Sequence, residues 1–320
     1  MRTVFFGTPN YAIASIRALL DADFEVPLIC TRPAKRAGRG RIAHAHSRRK
    51  FAEEVGIPAI TPNRLDAAAM AAVESANADV VVVVAYGRFI PSEILSATQL
   101  GAVNIHPSLL PRHRGPSPVA TAILDGDTFT GVSLMLLDEG MDTGPILSQS
   151  APVEITQETR VDGLTDHLFE VGAGMLPNVL DDLASGVLLP QPQDDAGATV
   201  TRLIRKEDGV VDWDAPAERI VRMNRAFHPW PGTSTVWDGE LLKLIDVEFV
   251  SGERIPSGFD PGVVFERDGQ GVYVSTGDGS AVRLVEVQAA GTRVMSAGEF
   301  VVGRPDFIGA RLGASRMSEK

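Results

Sequence analysis

Residues 79–87 read DVVVVVAYG, and five consecutive valines leave the chain few options. Successive side chains on a strand point to opposite faces, so a strand without alternation has to be covered on both. β-Branched side chains also favour a pleated strand over a helix. The run therefore belongs in the middle of a sheet sandwiched by helices. Its surroundings agree: RTVFFG (2–7) has the same apolar continuity, IASIRALLDA behind it has helical spacing, and EVPLICT supplies another strand. AAAMAAVESANA reads as the helix before the valines and GAVNIH (101–106) as the strand after them. This alternation predicts an α/β fold with a doubly wound, mostly parallel sheet whose ligands bind beyond the carboxyl ends of the strands. The turn after the first strand, Gly7-Thr8-Pro9, lacks the G-x-G-x-x-G fingerprint, so a dinucleotide cofactor is not expected.

TGVSLMLLDEGMDTGPIL (130–147) begins as an alternating strand and ends in a Gly-rich turn carrying Asp138, Glu139 and Asp142. Helical spacing then runs from Arg160 to Leu183 and is closed by Ser185-Gly186. LPQPQDDAGATV loses periodicity and gains Pro, Gly and charge, as a linker does. Beyond it, APAERIVRMNRAF reads as a helix, followed by short alternating strands separated by Gly and Asp. The expected organisation is a catalytic domain over 1–188, a linker over 189–206 and a smaller β domain over 207–320. That last domain is expected to close as an OB-like barrel, because an open sheet would leave bare edges.

The chain has 320 residues and a net charge of −11, which argues against indiscriminate nucleic-acid binding. The distribution qualifies this. Between Thr31 and Lys50 stand Arg32, Lys35, Arg36, Arg39, Arg41, Arg48, Arg49 and Lys50, with no acidic residue. That segment is either a solvated loop or an arm for phosphates. Cys30 is the sole cysteine, which excludes a disulfide framework. No apolar run approaches the ~20 residues of a membrane span, and a cytoplasmic protein is expected. His44 and His46 lie among cations that oppose a metal ion, so no metal is expected.

Asn104 and His106 are two apart on a strand and share one face, which aims two hydrogen-bonding groups at one point. A carboxylate in the Gly140–Gly144 turn, Asp142, is placed to orient the imidazole and raise its pKa. Ser108 is the only nearby nucleophile, and it lacks a G-x-S-x-G elbow. An Asn, His and Asp set without a strong nucleophile suits acid–base and oxyanion chemistry on a substrate that brings its own.

FFGTP, VVVVAYGRFIP, NIHPSLLPRHRGPSP, TGVSLMLLDEGMDTGPIL and RAFHPWPG together resemble the methionyl-tRNA formyltransferase family, over nearly the whole chain. The resemblance implies 10-formyltetrahydrofolate as donor, bound by Ser108, Leu109, Leu110 and Pro111 with Tyr86, Gly87, Phe89 and Ile90. It implies Asn104, His106 and Asp142 as the catalytic set and initiator methionyl-tRNA as the partner, met by Arg36, Arg39 and Arg41. A monomer without metal or membrane contact is expected. Two departures stand out: His113 replaces a bulkier aromatic at the pocket rim, and residues 207–320 hold 12 Lys and Arg against 18 Asp and Glu. A strip of Arg202, Arg205, Lys206, Arg219, Arg222 and Arg225 could still meet a phosphate backbone. A ribonucleotide or sugar-nucleotide formyltransferase would use the same catalytic set, and a non-catalytic folate- or RNA-binding module would need only the pocket or the loop. Both alternatives stay open on sequence alone.

Overall fold

The computed structural model describes residues 1–8, 10–33, 51–250, 260–267 and 271–313. Two compact units form. One takes Met1–Val119, Thr128–Ile155 and Gly163–Arg202; the other takes Ala120–Asp127, Thr156–Asp162 and Leu203–Lys320. The residues 189–201, without periodicity in sequence, thus pack within the first unit.

The first unit is built on a seven-stranded sheet. Its strands are β1 (Arg2–Gly7), β2 (Glu25–Cys30), β3 (Ala59–Ile60), β4 (Val80–Val84), β5 (Ala102–His106), β7 (Ser133–Leu136) and β8 (Ile146–Gln149), with a small β6–β9 pair (Phe129–Thr130 with Val153–Glu154) beside it. The order is β3-β2-β1-β4-β5-β7-β8; the first five run parallel, β7 pairs antiparallel with β5, and β8 pairs antiparallel with β7, so β7 alone is reversed. The valine run is the central β4, and all five of its residues are buried. Val81 and Val83 join Val4, Phe6, Leu28, Cys30 and Ala102 in a core with Val73 and Ala76 of the helix region 67–76. That helix, Ala67–Ser75, starts where the Asp66 carboxylate accepts the Ala69 N–H at 3.2 Å. On the other face the long helix Val161–Ala184 buries Leu164, Leu168, Gly172, Leu176 and Leu180 at four-residue intervals. Gly172 permits the approach: a Cβ there would lie 2.5 Å from Ile105. The helix ends at Ser185-Gly186, with Gly186 at φ +72°.

The second unit carries β10 (Thr233–Trp237), β11 (Glu240–Phe249), β12 (Val264–Arg267), β13 (Gly271–Ser275), β14 (Ala281–Ala289) and β15 (Met295–Ser296). The path is β10-β11-β14-β13-β12, antiparallel throughout, with β15 on β14. The expected closed barrel is not found among the described residues, where β12 and β10 do not pair. Instead the backbone N–H of Leu312 donates to the Gly262 carbonyl and that of Gly313 to the Val236 carbonyl, so one irregular segment bonds both edges. That segment protects the edges. The core beneath holds Trp213, Ile220, Leu244, Val274, Leu284, Phe300 and Phe307, with the Trp213 indole N–H donating to Thr235 Oγ1 at 3.0 Å.

Candidate active site

β5 places Asn104 opposite Val83 of β4 and Met135 of β7, and His106 opposite Ser133. β4 ends at Val84, so the last turn of β5 stands at the carboxyl end of the parallel strands, where the α/β topology puts ligands. Both side chains are buried, 8% and 4% exposed, yet they are held differently. The Asn104 carboxamide makes no hydrogen bond within the described residues, whereas the His106 ring is hydrogen-bonded at Nε2 and has a carboxylate near Nδ1. Its Nε2 lies 3.0 Å from the His113 carbonyl, an oxygen that can only accept, so Nε2 carries a hydrogen. Its Nδ1 stands 3.6 Å from Asp142 Oδ2, within ion-pair reach and beyond a normal hydrogen bond.

This fixes the neutral tautomer with the lone pair on Nδ1. Burial pushes the imidazole pKa below its ordinary value, outweighing the pull of the Asp142 carboxylate and the His113 carbonyl in the other direction. The sequence expectation of a raised pKa therefore inverts. Asp142 opposes the shift without overcoming it, and His106 is neutral at neutral pH.

Asp142 occupies the left-handed region, φ +55°, which Asp tolerates better than most residues. Its turn is tied at each end. The Asp138 carboxylate accepts from the Gly140 N–H (2.9 Å) and from Thr143 Oγ1 (2.8 Å), and the Gly115 N–H donates to Asp142 Oδ2 at 2.7 Å. Of the three acids in this turn, Asp138 shapes it, Asp142 faces the histidine and Glu139 is exposed.

The loop after β5 is held from below. Ser133 Oγ donates to the Ser108 carbonyl (2.7 Å) and accepts the Leu110 N–H (3.0 Å), and Gln149 Nε2 donates to the Leu110 carbonyl (2.9 Å). Ser108 is wholly buried and its hydroxyl donates to the Arg112 carbonyl at 2.7 Å. The hydroxyl is thus engaged within the loop and closed to solvent. Leu110 is also buried, while Leu109 packs towards Gly131.

The Tyr86 side chain turns into the core, 1% exposed, against Phe6 and with its hydroxyl 3.6 Å from Cys30 Sγ. Burial raises the Tyr86 hydroxyl above its ordinary range and the Cys30 thiol to about 11, so neither ionises near neutrality. Gly87 is exposed at φ +72°, Phe89 is 68% exposed, and Ile90 packs on the core edge. Among these residues only Gly87 and Phe89 stand open to solvent. His113 is 3% exposed and contributes its carbonyl, so it does not form a rim.

Arg36, Arg39 and Arg41 lie outside the described residues. In the second unit, Arg225 Nη1 donates to the Thr156 and Thr159 carbonyls (2.8 and 3.1 Å), and Arg222 pairs with Glu218 (3.4 Å) and reaches the Asp125 carbonyl. These two guanidiniums of the expected basic strip are already engaged. A cavity of about 400 Å³ lined by Phe5, Ile16, Ile29, Phe51 and Ile57, among others, takes in none of the Asn104, His106 and Asp142 set. Phe5 alternates with the core-facing Val4 and Phe6, so it lies on the opposite face of the sheet. No helix among the described residues is long and apolar enough to cross a membrane.

A family profile described as "Formyl transferase" matches residues 1–180, and one described as "Formyl transferase, C-terminal domain" matches residues 203–305. The methionyl-tRNA formyltransferase of Roseiflexus sp. strain RS-1 is 44% identical over 315 residues, covering 98% of this chain and 95% of that protein. The methionyl-tRNA formyltransferase of Magnetococcus marinus strain MC-1 is 42% identical over 313 residues, covering 98% of each. Among solved structures, WlaRD, a sugar 3N-formyl transferase determined in the presence of dTDP and 5-N-formyl-THF, superposes with a TM-score of 0.64 at 18% identity, covering 92% of this chain and 99% of that one. HypX from Aquifex aeolicus in complex with tetrahydrofolic acid superposes with a TM-score of 0.57 at 20% identity, over 86% of this chain and 46% of that one. The solved structures establish the shared fold. With relatives of this identity over nearly its full length, the chain belongs to the methionyl-tRNA formyltransferase family.

Proposed function

We propose that the chain transfers the formyl group of 10-formyltetrahydrofolate to the α-amino group of methionine esterified to initiator tRNA, using Asn104, His106 and Asp142. The observation that carries the catalytic assignment is the buried Asn104 carboxamide, unpartnered among the described residues, beside a histidine whose Nε2–H is tied down and whose Nδ1 makes no hydrogen bond. A free α-amino group has a pKa of about 7.7 to 8.0, so roughly a tenth to a sixth of the substrate is neutral at pH 7 and needs no strong base.

The amine lone pair attacks the formyl carbon, forming the new C–N bond while the C=O π pair moves to oxygen. The Asn104 amide N–H is the donor for that oxyanion. The nitrogen, now cationic, gives a proton to His106 Nδ1, and the imidazolium is stabilised between Asp142 and the His113 carbonyl. The oxyanion pair then re-forms the carbonyl and expels the folate nitrogen, which takes the proton back from His106. Formyl-methionyl-tRNA and tetrahydrofolate result, and His106 returns neutral. The depressed imidazole pKa suits this cycle, since a base has to start unprotonated.

The folate donor follows from the family resemblance and accords with the tetrahydrofolate and formyl-THF in the two solved formyltransferase-fold structures. Gly87 and Phe89 are the open residues for the donor, with backbone atoms of the 107–111 loop. The basic segment containing Arg36, Arg39 and Arg41 takes the acceptor end of the tRNA. The test is Asn104→Ala: kcat should fall by about 10²- to 10³-fold with tRNA affinity unchanged, the usual loss for an oxyanion donor. Near-wild-type turnover would remove Asn104 from the chemistry.

A further inference from the structure

We infer that Gln193 is a positioning residue for this reaction, holding the Asp142 carboxylate at its working distance from His106. The inference rests on the proposed role of Asp142. Gln193 comes from the stretch whose sequence reads as a linker, yet its carboxamide bonds three ways. Nε2 donates to the Asp142 carbonyl at 2.8 Å and to the Gly144 carbonyl at 2.7 Å, while Oε1 accepts from Arg114 Nε at 2.9 Å. The amide orientation is unambiguous, since two acceptors face one end and a guanidinium N–H faces the other.

Asp142 is therefore gripped at both ends. Gln193 holds its backbone, and the Gly115 N–H holds its carboxylate. Arg114 joins the two grips. It is 7% exposed, its Nη2 pairs with Asp195 at 2.7 Å, and it precedes Gly115 directly. The left-handed backbone at Asp142 is the kind of conformation that persists only when its surroundings over-determine it. The 3.6 Å gap to His106 leaves little tolerance, because a shift of that turn takes the carboxylate out of ion-pair reach.

Gln193→Met keeps the length and shape of the side chain and removes all three bonds. Gln193→Glu keeps the Arg114 pairing and replaces both N–H donors with an acceptor. Among the described residues, the charged or titratable groups facing His106 are Asp142 and His113. Hence drift of Asp142 lowers the His106 pKa further. The experiment is an NMR titration of His106 in the substrate-free full-length protein, for wild type, both Gln193 variants, Asp142→Asn and the double variants, together with kcat and KM for each.

Both Gln193 variants should lower the His106 pKa and reduce kcat by about 10-fold or more with KM unchanged, since small misplacements at a reacting site are that costly. In the Asp142→Asn background neither should change the pKa or kcat further, because the path they act through is gone. Losses that add in the double variants, or an unaltered His106 titration in Gln193→Glu, would overturn the inference. The titration needs no substrate, so failure of the wild-type chain to formylate methionyl-tRNA counts against the proposed function and leaves this result readable.

Discussion

At the scale of single residues, the site turns on which nitrogen of His106 is free. The His113 carbonyl takes Nε2–H, so the proposed proton cycle has to use Nδ1, on the side of Asp142. Replacing Asp142 by Asn removes the larger of the two influences that raise the His106 pKa and leaves burial opposed only by the His113 carbonyl, so that pKa falls. In the acid limb of kcat/KM, the substrate amine gives one break at about 7.7 to 8.0 and His106 a second below its ordinary ~6.5. Asp142→Asn should move only the second break, to lower pH, and lower the plateau as well. A second break that stays put, or moves up, would separate Asp142 from His106. The pairing of Asn104 with His106 was readable in sequence from strand periodicity alone. The state of His106 was not, because burial is a property of everything packed around it. For the same reason motif position could not tell that the Ser108 and Tyr86 side chains point away from the open side.

At the scale of elements, the site is a meeting of β5, the loop that follows it and the turn between β7 and β8. Two glycines let that turn and loop approach other backbone. A Cβ on Gly144 would lie 1.9 Å from the Leu136 carbonyl oxygen, and one on Gly115 would lie 2.8 Å from the Thr201 carbonyl oxygen at a φ of +105°. Gly115→Ala and Gly144→Ala should each destabilise the chain by about 2 kcal/mol or more, the range for strain at special backbone positions. Urea midpoints measure this, and a change of only a few tenths of a kcal/mol would mean the segments move freely. The strands and long helices were legible because apolar continuity and four-residue spacing are local signals. Gln193 was not. Its bonds span 51, 49 and 79 residues, within a Pro-, Asp- and Gly-containing stretch that has no period to read.

At the scale of the molecule, a net charge of −11 has to coexist with a polyanionic substrate. On the proposed reading, affinity for tRNA falls to the basic segment 31–50 and not to Arg222 and Arg225, whose guanidiniums bond backbone carbonyls of the second unit. Arg225→Ala should therefore lower the melting temperature without changing the salt dependence of tRNA binding. Arg36→Ala or Arg41→Ala should flatten the slope of log Kd against log salt by roughly one unit for each phosphate no longer neutralised. Equal slopes in all three variants would place the tRNA-binding surface elsewhere. Strands of the unit over 207–320 were legible and closure was not, for a physical reason: alternation predicts strands, whereas closure depends on which edges meet, and among the described residues an irregular segment bonds both edges. The central claim is formyl transfer to an amine presented by tRNA. The most direct measurement is kcat/KM of the wild-type chain with 10-formyltetrahydrofolate and three acceptors side by side: methionyl initiator tRNA, glycinamide ribonucleotide and an amino-sugar nucleotide. Turnover is expected with the tRNA and none above background with the two small amines; comparable turnover with either small amine would contradict the claim.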